Sequence, residues 1–497
     1  MHLSRSSFLL HPLSALPHPS SLILRFGALA ALAAWAGLCR EAIGQTAAIR
    51  VDAGRKIGAV RPLHGVNGGP ICYGGVVDLS AYHRVLGIPL TRIHDANWPA
   101  RDVVDVHAIF PDFRADAESP ASYRFAPTDD YLKSILATGS KVMYRLGESI
   151  EHTPRKYYVH KPPDFEQWAN ICLGIIRHYN EGWAGGLRLD LRYFEIWNEA
   201  EIGAAQWDGT AEDYYHLYGV AARTIKERYP SLLVGGPAAA GLGTLRGQSL
   251  TPSPFLRGFL ESCKKDGVSL DFLSWHMYTA DATAPIRGCR GLRHVLDDYG
   301  FKKTEIHLNE WNYLPGNDWR PMLSHNGAAL EKWFADAGSI RGAAFAACVL
   351  VGLQDAPADM ANFYTGDNGG WGLFTAYGVP KKTYHAFRAF KALVDHPARV
   401  MVEGGRPGEL AAAAGITADG RELAVVISNY RSPDGRVELD FENLPWTGPS
   451  ECELLLLDQT RDLAPLREQT ADGPKIRILQ DLPAPAVLLV YVRKAAG

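Results

Sequence analysis

Two stretches of this chain end in a carboxylate that a core would not choose. Tyr193-Phe194-Glu195-Ile196-Trp197-Asn198-Glu199 and Glu305-Ile306-His307-Leu308-Asn309-Glu310-Trp311-Asn312 both read as short apolar strands closing on Glu beside Asn and Trp. A buried carboxylate is costly unless it is paired. Two such strand ends therefore suggest a working pair, Glu199 and Glu310, against the plainer reading of two surface acids at strand ends. Paired carboxyl groups suit cleavage of a glycosidic bond: one protonates the leaving oxygen while the other attacks the anomeric carbon or activates water.

Such a pair needs a scaffold that brings distant strand ends together. Apolar runs recur at residues 62–66, 89–93, 141–146, 191–197, 231–235, 271–275, 305–308 and 343–351, and a segment of helical period follows each. Asp164 with Gln167, and Thr210 with Asp213, sit at capping positions of two of these helices. Eight strand-then-helix units whose strands are buried on both sides predict an α/β fold, a closed (β/α)8 TIM barrel over residues 61–397. An open doubly wound sheet would need a Gly-rich phosphate turn, and Gly68-Gly69 and Gly74-Gly75 lack its spacing. Beyond residue 397 the pattern changes to short strands parted by Gly, Pro, Asp and Asn, predicting a C-terminal all-β sandwich over 398–497. A lone strand in 46–60 is expected to join that sandwich. In a barrel of this kind the residues after strands four and seven face one mouth.

With that order in place, Trp197-Asn198-Glu199, Glu310-Trp311-Asn312 and the sixth-strand run Asp271-Phe272-Leu273-Ser274-Trp275-His276-Met277-Tyr278 resemble the clan A retaining glycoside hydrolases. The likeness is greatest to glycoside hydrolase family 39, the β-xylosidase and α-L-iduronidase group, and runs from roughly residue 50 to 495. It implies a double displacement through a covalent glycosyl-enzyme without cofactor, with Glu199 as general acid/base and Glu310 as nucleophile. A β-xylosidase-like exo action is expected. The alternatives are an α-L-arabinofuranosidase or exopolysaccharide-cleaving enzyme of the same clan, or a non-catalytic carbohydrate-binding barrel.

The acid needs a raised pKa, which the charge of Glu310 nearby would supply. Arg92 and Tyr278 are implied as the donors that keep Glu310 ionised. Asn198, His94, His276, Trp311 and Trp371 complete the candidate substrate-binding set, with Asp95, Trp207, Gln354 and Asp355 as further candidates for the mouth. Glu148 and Glu151 read as structural or substrate-contacting acids. Ala200 departs from the family pattern, which places Pro after the acid/base Glu.

Composition narrows the partners. A net charge of −3 without a long basic run argues against nucleic acid, whereas 12 Trp and 21 Tyr suit an oligo- or polysaccharide cleft as well as a large core. Arg25 followed by the apolar stretch 26–38 predicts an export segment within residues 1–45, too short to span a bilayer, hence a secreted or periplasmic protein with no membrane span once mature. The six cysteines after Cys39 show no metal-type spacing, and were any two to pair, Cys263 with Cys289 would be the first choice.

Overall fold

Eight short parallel strands close into a barrel: Gly65–Asn67, Leu90–Ile93, Lys141–Leu146, Tyr193–Ile196, Leu233–Ala239, Phe272–Thr279, Glu305–Tyr313 and Met360–Phe363. They are numbered one to eight here. The computed structural model describes residues 45–495 except His325 and Pro474, so the expected export segment lies outside the described residues.

Alternation along the strands sorts the barrel interior into layers. At the bottom Leu90, Met143 and Phe272 pack with Tyr193, Leu233 and Met360. Two residues further along four of these strands stand Arg92, Arg145, Glu195 and Asn362, all fully buried. The apolar floor thus gives way to a polar layer just below the mouth. Such a layer persists only if its members satisfy one another.

The helices that brace the barrel carry their expected caps. Asp164 accepts from Gln167 N (3.0 Å) ahead of the helix Phe165–Asn180. Thr210 and Asp213 cap each other at the start of Ala211–Arg228.

The eighth strand differs from the sequence reading. Residues 343–351 lie within the helix Ile340–Leu353, capped by Ser339, and strand eight is Met360–Phe363. The run is apolar all round because this helix packs on both sides, with Ala344 O accepting from Ser428 Oγ (2.7 Å) of the C-terminal sheet. Its alanines at 343, 344, 346 and 347 favour helix, so apolarity alone misleads. The true strand has only four residues.

The C-terminal part is a sandwich-like sheet of nine strands. The first, Thr46–Ala59, lies between Ala398–Gly404, to which it is antiparallel, and Arg436–Glu442, to which it is parallel. One strand was not foreseen, Asp462–Ala471 at the sheet edge, where Pro465 and charged residues interrupt the alternation. Arg399 of the sheet grips Asp355 with both guanidinium nitrogens at 2.7 Å, and Tyr430 OH donates to Ala280 O at 2.9 Å. Cys263 and Cys289 are buried free thiols, as are the other four described cysteines, so the suggested pairing is not formed. Among the described residues no single helix is long and apolar enough to cross a membrane.

Candidate active site

Arg92, inward on strand two and fully buried, organises the mouth of the barrel. Its Nε donates to Glu195 Oε2 (2.7 Å), Nη1 to Glu310 Oε1 (2.8 Å) and Asn67 Oδ1 (3.0 Å), and Nη2 to Asn198 Oδ1 (2.6 Å). Burial alone would lower the guanidinium pKa, but Glu195 and Glu310 together outweigh it and the net shift is upward. Arg92 therefore stays charged and ties strands one, two, four and seven at the level of the chemistry.

Glu310 reaches this point through a bulge in strand seven. Leu308 pairs with Trp275 and Glu310 with His276, leaving Asn309 as an extra residue. Bulges re-aim side chains. Here Asn309 and Glu310 both face inward, Asn309 Nδ2 donating to Glu195 Oε1. Glu310 also accepts from Tyr278 OH (2.8 Å) on Oε2. Burial raises its pKa and prevails over the opposing pull of His276 and Arg92, with Glu199 adding to the rise and Tyr278 to the fall, so the net shift is upward. Donors to both oxygens favour the ionised form.

Glu199 lies just past strand four with φ 45° and ψ 43°, its N–H donating to Ala238 O (3.0 Å). A left-handed non-glycine residue is strained and persists only where its surroundings hold it. Its Oε1 is 2.7 Å from His276 Nδ1, which is 3.4 Å from Glu310 Oε2. Glu199 is pushed up to about 7, first by burial, against the pull of Arg92, and further by Asp95. Burial, rather than the charge of Glu310, is thus the main cause of the raised acid. His276 is held down at about 4 by burial, so its ring is neutral at pH 7.

One oxygen of Glu199, one of Glu310 and a His276 nitrogen lie within 4.8 Å of one another. A cation could be imagined there, but Arg92 already places its positive charge against Glu310. The same holds for Asp105, His107 and Glu148, the second cluster of this kind, where Arg145 Nη2 and Ser149 already occupy the oxygens of Asp105.

Other expected residues distribute unevenly. His94 belongs to the centre, its Nε2 3.3 Å from Asp95 Oδ2 and 3.8 Å from Glu310 Oε1, and Asp95 accepts from Tyr364 OH (2.9 Å). Trp371 stands at the rim, its ring 5.2 Å from Tyr278, with the exposed Trp319 5.3 Å from the same tyrosine. Trp311 does not face the mouth: the bulge turns it outward against Phe363, where it is fully buried. Trp207 packs edge-on against Trp197 in the core.

Gln354 and Asp355 follow a helix rather than a strand and so sit away from the mouth. Gln354 pairs with the backbone of Arg61 at both ends of its amide, while Asp355 holds Arg399. Glu148 bonds His107, and Glu151 accepts from the backbone N–H groups of Tyr157, Tyr158 and Val159. Sequence reasoning missed Glu195, Asn67, Asn309 and Tyr364. It also missed Glu201, whose carboxylate is buried against the backbone at Ala240 and Gly241 and whose pKa burial pushes up to about 7. Glu195 had one signal, a charge inside an apolar strand run.

Residues 86–404, more than half of the chain, match the sequence pattern of Glycosyl hydrolases family 39. The chain belongs to this family. Among its relatives are a "Beta-xylosidase" of Caldicellulosiruptor saccharolyticus, 25% identical over 66% of this chain, and one of Geobacillus stearothermophilus, 24% identical over 58%. The matched regions span 64% and 60% of the lengths of those two relatives. A glucosidase from Croceicoccus marinus has a similar solved structure, with a TM-score of 0.76 and 26% identity over 91% of this chain and 100% of that one.

Proposed function

We propose that this family 39 chain is a retaining, β-xylosidase-like, exo-acting glycosidase, with Glu310 as nucleophile and Glu199 as general acid/base. The observation that carries the reading is the approach of the two carboxyl groups to within 4.8 Å between oxygens. Retaining enzymes hold their carboxyl groups about 5–5.5 Å apart, whereas inverting ones leave about 6.5–9.5 Å for a water. In the first step a Glu310 oxygen bonds to the anomeric carbon as the bond to the leaving oxygen breaks, and that oxygen takes the proton of Glu199. In the second, Glu199 removes a proton from water, whose oxygen displaces Glu310 from the same carbon. Asn198, fixed by Arg92, is placed to bond the sugar 2-hydroxyl, a contact that strengthens as the transition state forms. The names of the two β-xylosidase relatives support the choice of sugar.

Release of 4-nitrophenol from β-xyloside, α-L-arabinofuranoside, β-glucoside and uronide substrates tests the sugar, with β-xyloside expected to lead. Binding of xylo-oligosaccharides without hydrolysis of any glycoside would instead establish a carbohydrate-binding barrel. The proton that Glu199 must carry is present below about pH 7 and lost above it. For a substrate with a poor leaving group, kcat/KM should therefore fall about tenfold per pH unit beyond that point. That limb should vanish in Glu199→Ala, and a limb retained in this variant would assign the proton to another group. Export, suggested by the apolar stretch 26–38, is checked by N-terminal sequencing of protein recovered outside the cytoplasm.

A further inference from the structure

A cavity of about 250 Å³ shares His276 and Tyr278 with the catalytic centre and extends beneath the hairpin formed by Gly243–Arg246 and Ser249–Pro252. Its other side chains are Leu242, Leu245, Leu250, Met277 and Trp319, and the remaining lining positions are alanine or glycine. We propose that this cavity receives the leaving group, and that it selects glycosides with an apolar alkyl or aryl aglycone over those whose leaving group is another sugar. The inference rests on the glycosidase reading above and adds the class of aglycone to it.

Position comes first. The atom that Glu199 protonates is the glycosidic oxygen; the Glu199 N–H donates to Ala238 O, two residues before the cavity wall begins at Ala240, and Tyr278, bonded to Glu310, lines the same cavity. A group hanging from that oxygen therefore has this cavity beside it. A larger cavity of about 540 Å³, bounded by His107, Glu148, Tyr158 and Trp197, does not include Tyr278.

Chemistry comes second. A sugar leaving group carries several hydroxyls, and each that is buried without a partner is penalised. Tyr278 OH is already committed to Glu310, and His276 Nδ1 to Glu199. The His276 side chain, Nε2 included, is fully enclosed and offers the cavity no polar atom. Beyond it the wall offers aliphatic carbon, a thioether and the indole of Trp319, which is 39% exposed. Apolar surface of this kind gains from every methylene it removes from water.

The test measures kcat/KM of the whole protein on methyl, hexyl and octyl β-D-xyloside and on xylobiose. We expect at least about a tenfold rise from methyl to hexyl, with hexyl above xylobiose. Leu245→Asn and Trp319→Ala, both at partly exposed positions, should cut the hexyl-to-methyl ratio at least threefold. A flat alkyl series, a preference for xylobiose, or a ratio unchanged in both variants overturns the aglycone assignment. In each of those cases turnover still supports the glycosidase reading. Loss of turnover on all four substrates overturns that reading and this one with it. Should either variant fold poorly, the wild-type series alone decides.

Discussion

Glu310→Ala is expected to lower kcat by roughly 10⁴- to 10⁶-fold, the equivalent of about 5.5–8 kcal/mol of transition-state stabilisation. The loss should be this large because no neighbouring group can take the place of Glu310. His276 is neutral and already engaged with Glu199, and Glu195, the next inward acid, is sequestered by Arg92 and Asn309. The fold should survive, since Arg92 keeps Glu195 as a counter-charge. Azide should restore turnover of a 2,4-dinitrophenyl glycoside in this variant by entering the vacated space and attacking the anomeric carbon. The product would be a glycosyl azide of inverted configuration. A variant that melts like wild type yet retains kcat within tenfold of it, or that azide leaves inactive, would remove Glu310 from the role of nucleophile.

The placement of the two carboxylates was legible because apolar runs and their terminal acids are local features, and counting strands converts them into positions around a ring. Miscounting strand eight did no harm to Glu199 or Glu310, which precede it, but it misdirected Gln354 and Asp355. The helix Ile340–Leu353 has the hydrophobicity of a strand because it is buried on both sides, and Met360–Phe363 is too short to announce itself. Trp311 was misplaced for a different reason. Strict alternation from Asn309 turns Trp311 inward, and the bulge at Asn309 reverses that. A bulge is set by pairing with a neighbour, which a single strand does not display.

The least legible part was the support beneath the pair. Glu195 meets Arg92 across about a hundred residues of chain, and Asn67 joins them from strand one. None of these contacts leaves a spacing signal. The cause of the raised Glu199 pKa was hidden likewise. Like-charge repulsion is readable from two nearby acids, whereas burial, the larger effect here, emerges only from the packed mouth.

Arg92→Met carries the second large effect, because it removes the one cation shared by two buried carboxylates. Breaking a buried ion pair from one side costs about 3–5 kcal/mol, since the partner charge is stranded. Applied to a unit of this size, that corresponds to a fall in Tm of roughly 3–5 °C. Activity should drop on the order of 10³-fold, because Glu310 loses a donor and Asn198 its anchor. The pH profile separates this from a merely structural lesion. Without the guanidinium the pKa of Glu310 rises, its ionised fraction shrinks, and the acid limb of kcat/KM should move to higher pH. Arg92→Lys restores a charge but not the fork that meets Glu195, Glu310, Asn67 and Asn198 together, so it should recover stability more than activity. Adding Glu195→Gln to Arg92→Met removes one stranded charge, and should return part of the lost Tm while leaving kcat low. If the double variant is no more stable than Arg92→Met, the stranded Glu195 carboxylate is not the source of the instability.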